Sequence, residues 1–227
     1  MKAAAMISIA ISILLSSCGD LGSSVFDRSG IHDGRSKIVF SGKLTRWFSV
    51  PRGKSPNGFH PAPVSSSTRD KAARLPKDKH GMATYKSSQR QRLVRTTSYS
   101  HEEMEVGAPW RKNALGTYLK YGQVRSAAAD WSRYPVGTKF KIKGLPYTYV
   151  VDDYGSSLVG TNTVDIYHPN LTTMRRWGTR LAEITVIQWG SYERTVNILK
   201  GRRGYDHTRK MYYAAKAKLD SGSVASN

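Results

Sequence analysis

The stretch that decides the fold is Val150-Val151-Asp152-Asp153-Tyr154-Gly155-Ser156-Ser157-Leu158-Val159-Gly160-Thr161-Asn162-Thr163-Val164-Asp165-Ile166-Tyr167. β-Branched and aromatic residues crowd its two ends, and Gly155 and Gly160 punctuate its middle. It therefore reads as strand, glycine turn, glycine turn, strand. Each strand carries an aspartate toward its inner end, so a fold that brings the strands together also brings Asp153 and Asp165 into one cleft.

Working outward, strand signals recur on both sides. Residues 92–100 accumulate β-formers, residues 138–142 alternate, residues 147–151 are β-rich and residues 182–189 alternate again. Gly and Pro bound each of them: Pro135 and Gly137, Gly144 and Pro146, Gly178, Gly190. Short strands at this spacing predict a small barrel or sandwich. Only residues 171–179 and 206–219 read as helical, the second as a surface helix following the domain. No Walker loop, paired His/Cys metal motif or Gly-x-Ser-x-Gly elbow occurs in the chain.

Four motifs stand in order: Ala129-Asp130-Trp131, Pro135-Val136-Gly137-Thr138, Asp153-Tyr154-Gly155 and Asp165-Ile166-Tyr167. In these the chain resembles the 3D domain, named for three aspartates. That domain is the double-psi β-barrel of the MltA-type membrane-bound lytic transglycosylases and of the stationary-phase muralytic proteins. Asp130, Asp153 and Asp165 fall on the three aspartates. Residues 114–119 (Ala-Leu-Gly-Thr-Tyr-Leu) are similar to an earlier family element, and Thr97-Ser98-Tyr99 to its opening strand. The resemblance spans residues 96–189 and implies a mostly β fold, a six-stranded double-psi barrel with short helices. Two departures stand out. The second domain that shapes the glycan groove in MltA-type enzymes has no counterpart, and residues 101–112, with Glu102, Glu103 and Glu105, depart from the usual opening loop.

The resemblance implies a peptidoglycan lytic transglycosylase. In that reaction the β-1,4 bond after N-acetylmuramic acid breaks while the sugar's own C6 hydroxyl attacks, leaving a 1,6-anhydro end. One carboxylic acid suffices, first protonating the leaving oxygen and then, as carboxylate, taking the hydroxyl proton. No cofactor or metal is called for. Ordinary glycosidases instead divide the work between two carboxyls about 5 to 10 Å apart. By resemblance Asp165 is the acid, with Asp153 and Asp130 as neighbours that hold its proton, while Asp152 reads as a turn cap. Trp131, Tyr154 and Tyr167 flank the aspartates and are candidate sugar-stacking rings; Trp177 and Trp189 read as core. The charged loop at His101, Glu102 and Glu103 reads as solvated. Two rival readings stand beside the enzyme: a non-catalytic peptidoglycan-binding lipoprotein, and a hydrolase of another anionic glycan.

The N-terminal half reads differently. Lys2 precedes an apolar run at residues 3–15, too short for a membrane span and shaped like a secretory signal. It ends in Leu15-Ser16-Ser17-Cys18-Gly19, which resembles the bacterial lipobox, and Cys18 is the chain's single cysteine. Lipidation at Cys18 would anchor the protein to the envelope. Gly19 rather than Asp after the cysteine favours the outer membrane in a Gram-negative cell.

The 36 Lys and Arg against 16 Asp and Glu give a net charge of +20, which attracts polyanions. Export removes nucleic acid from the expected partners and leaves wall polymer and lipid headgroups. Residues 51–95 are rich in Pro, Ser, Lys and Arg with little apolar periodicity, a composition of a flexible basic tether. A short hairpin around Ser41-Gly42 is the one ordered feature expected before it. The expected organisation is a signal peptide at 1–17, a lipidated and largely disordered basic tether at 18–91, the barrel domain at 92–200 and a C-terminal helix and tail at 201–227.

Overall fold

The computed structural model describes residues 35–40, 44–49, 60–103 and 111–222. The signal peptide and Cys18 lie outside the described residues. Strands β1 (Arg35–Phe40) and β2 (Leu44–Ser49) pair antiparallel as the hairpin expected around Ser41-Gly42.

Six further strands form the main sheet: β3 (Gln91–Tyr99), β4 (Val124–Ala129), β5 (Lys139–Ile142), β6 (Thr148–Asp153), β7 (Thr163–Tyr167) and β8 (Arg180–Gln188). They join in the order β3-β7-β4-β6-β5-β8 and close into a barrel, which leaves no open edge. β3 with β7 and β4 with β6 run parallel, and every other pair is antiparallel. Alternation decides which side chains fill the interior. Phe140 and Ile142 of β5, Val164 and Ile166 of β7, and Ala182, Ile184 and Val186 of β8 are all buried in one cluster. Trp177 and Trp189 join that core, as their sequence positions predict.

Helices α1 (Ser66–Ala73), α2 (Leu171–Trp177), α3 (Tyr192–Lys200) and α4 (Asp206–Asp220) surround the barrel. Side chains of Ser65, Asn170 and Ser191 accept from the backbone N–H groups that begin α1, α2 and α3. The sequence pattern does not announce α3. Nor is α4 an appendage after the domain. Met211 and Tyr212 enter the barrel's core cluster together with Leu199 of α3, Ala215 is buried beside them, and Lys218 Nζ donates to the Ser132 carbonyl at 2.7 Å. A narrow stripe of apolar and small residues among lysines is enough to dock this helix. The domain therefore extends past the expected boundary at residue 200.

A larger correction concerns the tether. Residues 60–90 are folded against the barrel as a strap. Ser65 donates to Glu183 from both its backbone N–H, at 3.0 Å, and its hydroxyl, at 2.9 Å. Ala62 N–H donates to the Lys143 carbonyl at 2.8 Å. Gly144 makes that approach possible: it has φ +83°, and a Cβ there would stand 2.4 Å from Ala62 N. Ala72, Met82 and Ala83 then cover Leu93 as a second, smaller core. The segment has few apolar residues, but side-chain and backbone hydrogen bonds to the barrel supplement their burial.

Candidate functional site

The pairing register assembles the site on the outside of the barrel wall. Val164 and Ile166 point into the core, so Asp165 between them points out. Asp165 is opposite Ala128 of β4 on one side and opposite Thr97 of β3 on the other. Asp153 has a less regular route. Tyr149 and Val151 of β6 face the core, and strict alternation would send Asp153 inward after them. The ladder slips there: Ala127 pairs with Val151 and Ala128 pairs with Asp153, leaving Asp152 as an extra residue. That bulge turns Asp153 outward beside Ala128, onto the face that carries Asp165. With Ala128 between them, the two aspartates sit roughly two strand spacings apart, about 10 Å between Cα atoms.

Named donors hold both carboxyls. Thr97 Oγ1 donates to Asp165 Oδ1 at 2.7 Å. Asp153 Oδ1 accepts from Ala114 N at 3.1 Å and from its neighbour Tyr154 N at 3.0 Å. Tyr99 hydroxyl donates to Asp153 Oδ2 at 3.2 Å. Both carboxyls are half-buried. Burial pushes Asp165 from its ordinary 3.8 up to about 6, against the Thr97 hydrogen bond and with help from the charges of Glu103 and Asp153. Burial likewise raises Asp153 to about 6, although three hydrogen bonds favour its charged form. Tyr99 is pushed far above its usual range by burial and then by Asp153, Asp152 and Asp165, so it remains a proton donor at neutral pH.

The other sequence candidates have structural positions. Asp130 is buried; its carboxylate accepts from Ser132 N at 2.8 Å, Ser132 Oγ at 2.7 Å and Gly160 N at 2.7 Å. It pins the β6–β7 loop to the end of β4 and does not share the outer face with the other two. Trp131 is buried in the core, where its Nε1 donates to the Asp153 carbonyl at 2.8 Å. Tyr167 is buried too, with its hydroxyl 3.0 Å from His101 Nδ1. Neither Trp131 nor Tyr167 presents a ring face to a sugar. Tyr154 is half-buried, its ring set edge-on to Trp131 at 4.8 Å. Asp152 is more than a turn cap. It is buried, accepts from Ser126 Oγ at 2.9 Å and pairs with Lys120 Nζ at 2.8 Å.

The loop read as solvated is ordered as well. Glu102 accepts from Leu171 N at 2.9 Å and Glu103 from Ser100 N at 3.0 Å, while His101 meets Tyr167. Thr97, Tyr99 and the Ala114 N–H are the site groups that reading for carboxylates overlooked. The first two alternate along β3, the available signal, whereas a backbone N–H leaves none. Among the described residues no three His, Cys, Asp or Glu side chains converge as a metal-binding group, and no helix is long and apolar enough to cross a membrane. No family model matches the chain, and no curated protein matches it.

Proposed function

We propose that this barrel is a 3D-type double-psi β-barrel acting as a peptidoglycan lytic transglycosylase, with Asp165 as its general acid and base. The observation that carries the reading is the pair of half-buried carboxyls on one outer face, each with its proton held to about pH 6. An acid of that strength is partly protonated at neutral pH and can release and recover a proton within one turnover. The two parallel pairs, β3 with β7 and β4 with β6, are consistent with the double-psi topology.

In the proposed reaction Asp165 gives its proton to the glycosidic oxygen as the C1–O bond breaks. The resulting carboxylate accepts the proton of the C6 hydroxyl as O6 bonds to C1, so the acid is regenerated and no water is consumed. Thr97 fixes the Asp165 carboxyl, leaving its second oxygen for substrate. Asp153, held by Tyr99 and the Ala114 N–H, places a neighbouring negative charge that keeps the Asp165 proton from leaving early. The protein's charge and the Cys18 lipobox suit an envelope location beside this substrate.

Replacing Asp165 with Asn tests the assignment. Release of anhydro-ended fragments from purified sacculi should fall by at least about a hundredfold while the melting temperature is kept or raised. Undiminished release would remove Asp165 from the mechanism. Binding to sacculi without release by the unsubstituted protein would favour the wall-binding lipoprotein.

A further inference from the structure

The hairpin that holds Asp153 also presents an aromatic ring that the described residues leave largely uncovered. Tyr118 is 68% exposed, more than any other large apolar side chain among the described residues. It belongs to the segment 111–120, whose Ala114 N–H donates to Asp153. This segment is tightly braced. Lys112 and Tyr118 form an antiparallel bridge, Leu119 N donates to the Arg111 carbonyl at 2.6 Å and Asn113 N to the Thr117 carbonyl at 2.9 Å. The Asn113 side chain accepts from Leu115 N and Thr117 N, both at 3.1 Å, and Gly116 turns the tip with φ +77°.

The braced hairpin fixes the backbone that carries this ring, and the ring's face suits the C–H face of a pyranose. Lys112 is directly across the hairpin from it, and cross-strand partners of a narrow pair have Cβ atoms about 5 Å apart. Lys112 is exposed and makes no ion pair among the described residues, whereas the ammonium of Lys120 is engaged by Asp152. Among the described residues, the outer surface therefore pairs an uncovered aromatic face with an unpaired cation on the arm that positions a site carboxylate.

We propose that Tyr118 and Lys112 form a subsite for a peptide-bearing sugar, Tyr118 stacking on the pyranose ring and Lys112 pairing with a carboxylate of the attached peptide. The proposal rests on the glycan-cleaving reading of the carboxylate site and adds the substrate's charge to it.

Sedimentation with purified sacculi, using the full chain carrying Asp165→Asn so that the polymer is not consumed, tests the subsite. Uncharged chitooligosaccharide serves as the second probe. Tyr118→Ala should weaken binding to both about tenfold, Tyr118→Trp should retain it, and Lys112→Ala should weaken binding to sacculi alone about threefold. Binding by Tyr118→Ala within about twofold of its parent overturns the proposal, as does a Lys112→Ala loss equal on both probes or no binding by the parent. Cleavage is assayed separately with native Asp165. Binding that follows the expected series without product release would sink the transglycosylase reading and leave the subsite standing.

Discussion

Between Ala127 and Ala128 the pairing of β4 with β6 skips Asp152, and the consequences fall on single residues. Asp152 is buried against Lys120 and Ser126, while Asp153 turns out to share a face with Asp165. That arrangement also shifts the acidity of both carboxyls. Asp153 and Asp165 bind protons more tightly when folded than at their ordinary 3.8, each to about 6. Relative to the unfolded chain, the folded state therefore gains stability fully below about pH 4, and the gain is lost as pH rises through 6. Asp153→Asn should accordingly raise the melting temperature at pH 8 and do so less at pH 4, as thermal melts at the two pH values would show. As the proposed acid, Asp165 must carry its proton, so kcat/KM for glycan release should decline above about pH 6, the limb vanishing in Asp165→Asn.

At the scale of elements, the strap of residues 60–90 depends on a few contacts. Burial alone would raise Glu183, but bonds from Ser65, Gln91 and Lys143 outweigh it and hold the carboxyl down at about 2. The stability this contributes is present above pH 4.5 and fades as pH falls toward 2. Glu183→Gln should cost about 2 kcal/mol in denaturant unfolding at pH 7, and the deficit should shrink in acid. Gly144→Ala should free the strap, since its Cβ would collide with Ala62 and its φ is positive, and limited proteolysis should then cut within residues 60–90. Resistance equal to that of the unsubstituted protein would contradict the docking. The strands were legible because residues such as Phe140, Ile142, Ile184 and Val186 alternate with polar neighbours. The strap was not, because Ser65, Asp78 and Ala62 hold it through polar contacts that leave no period in sequence. Helix α3 escaped notice for a related reason: its buried face uses Tyr192 and Thr195 besides Leu199.

For the whole molecule, the ordered unit is larger than the motif-bearing stretch suggests, because strap and C-terminal helices complete the barrel's packing. The two aspartates on β6 and β7 were readable from their glycine-punctuated setting. Their shared outer face was not, since it depends on a one-residue slip against a strand more than twenty positions away. Asp130 and Trp131 belong to the same set of motifs but are turned into the protein. The central proposal is that Asp165 cuts glycan by moving a proton twice, with the sugar as its own nucleophile. Digesting purified sacculi with the full chain in 18O-labelled water and weighing the released fragments tests it most directly. The account predicts soluble fragments with 1,6-anhydro ends and no 18O; reducing ends carrying 18O, or no released fragments at all, would contradict it.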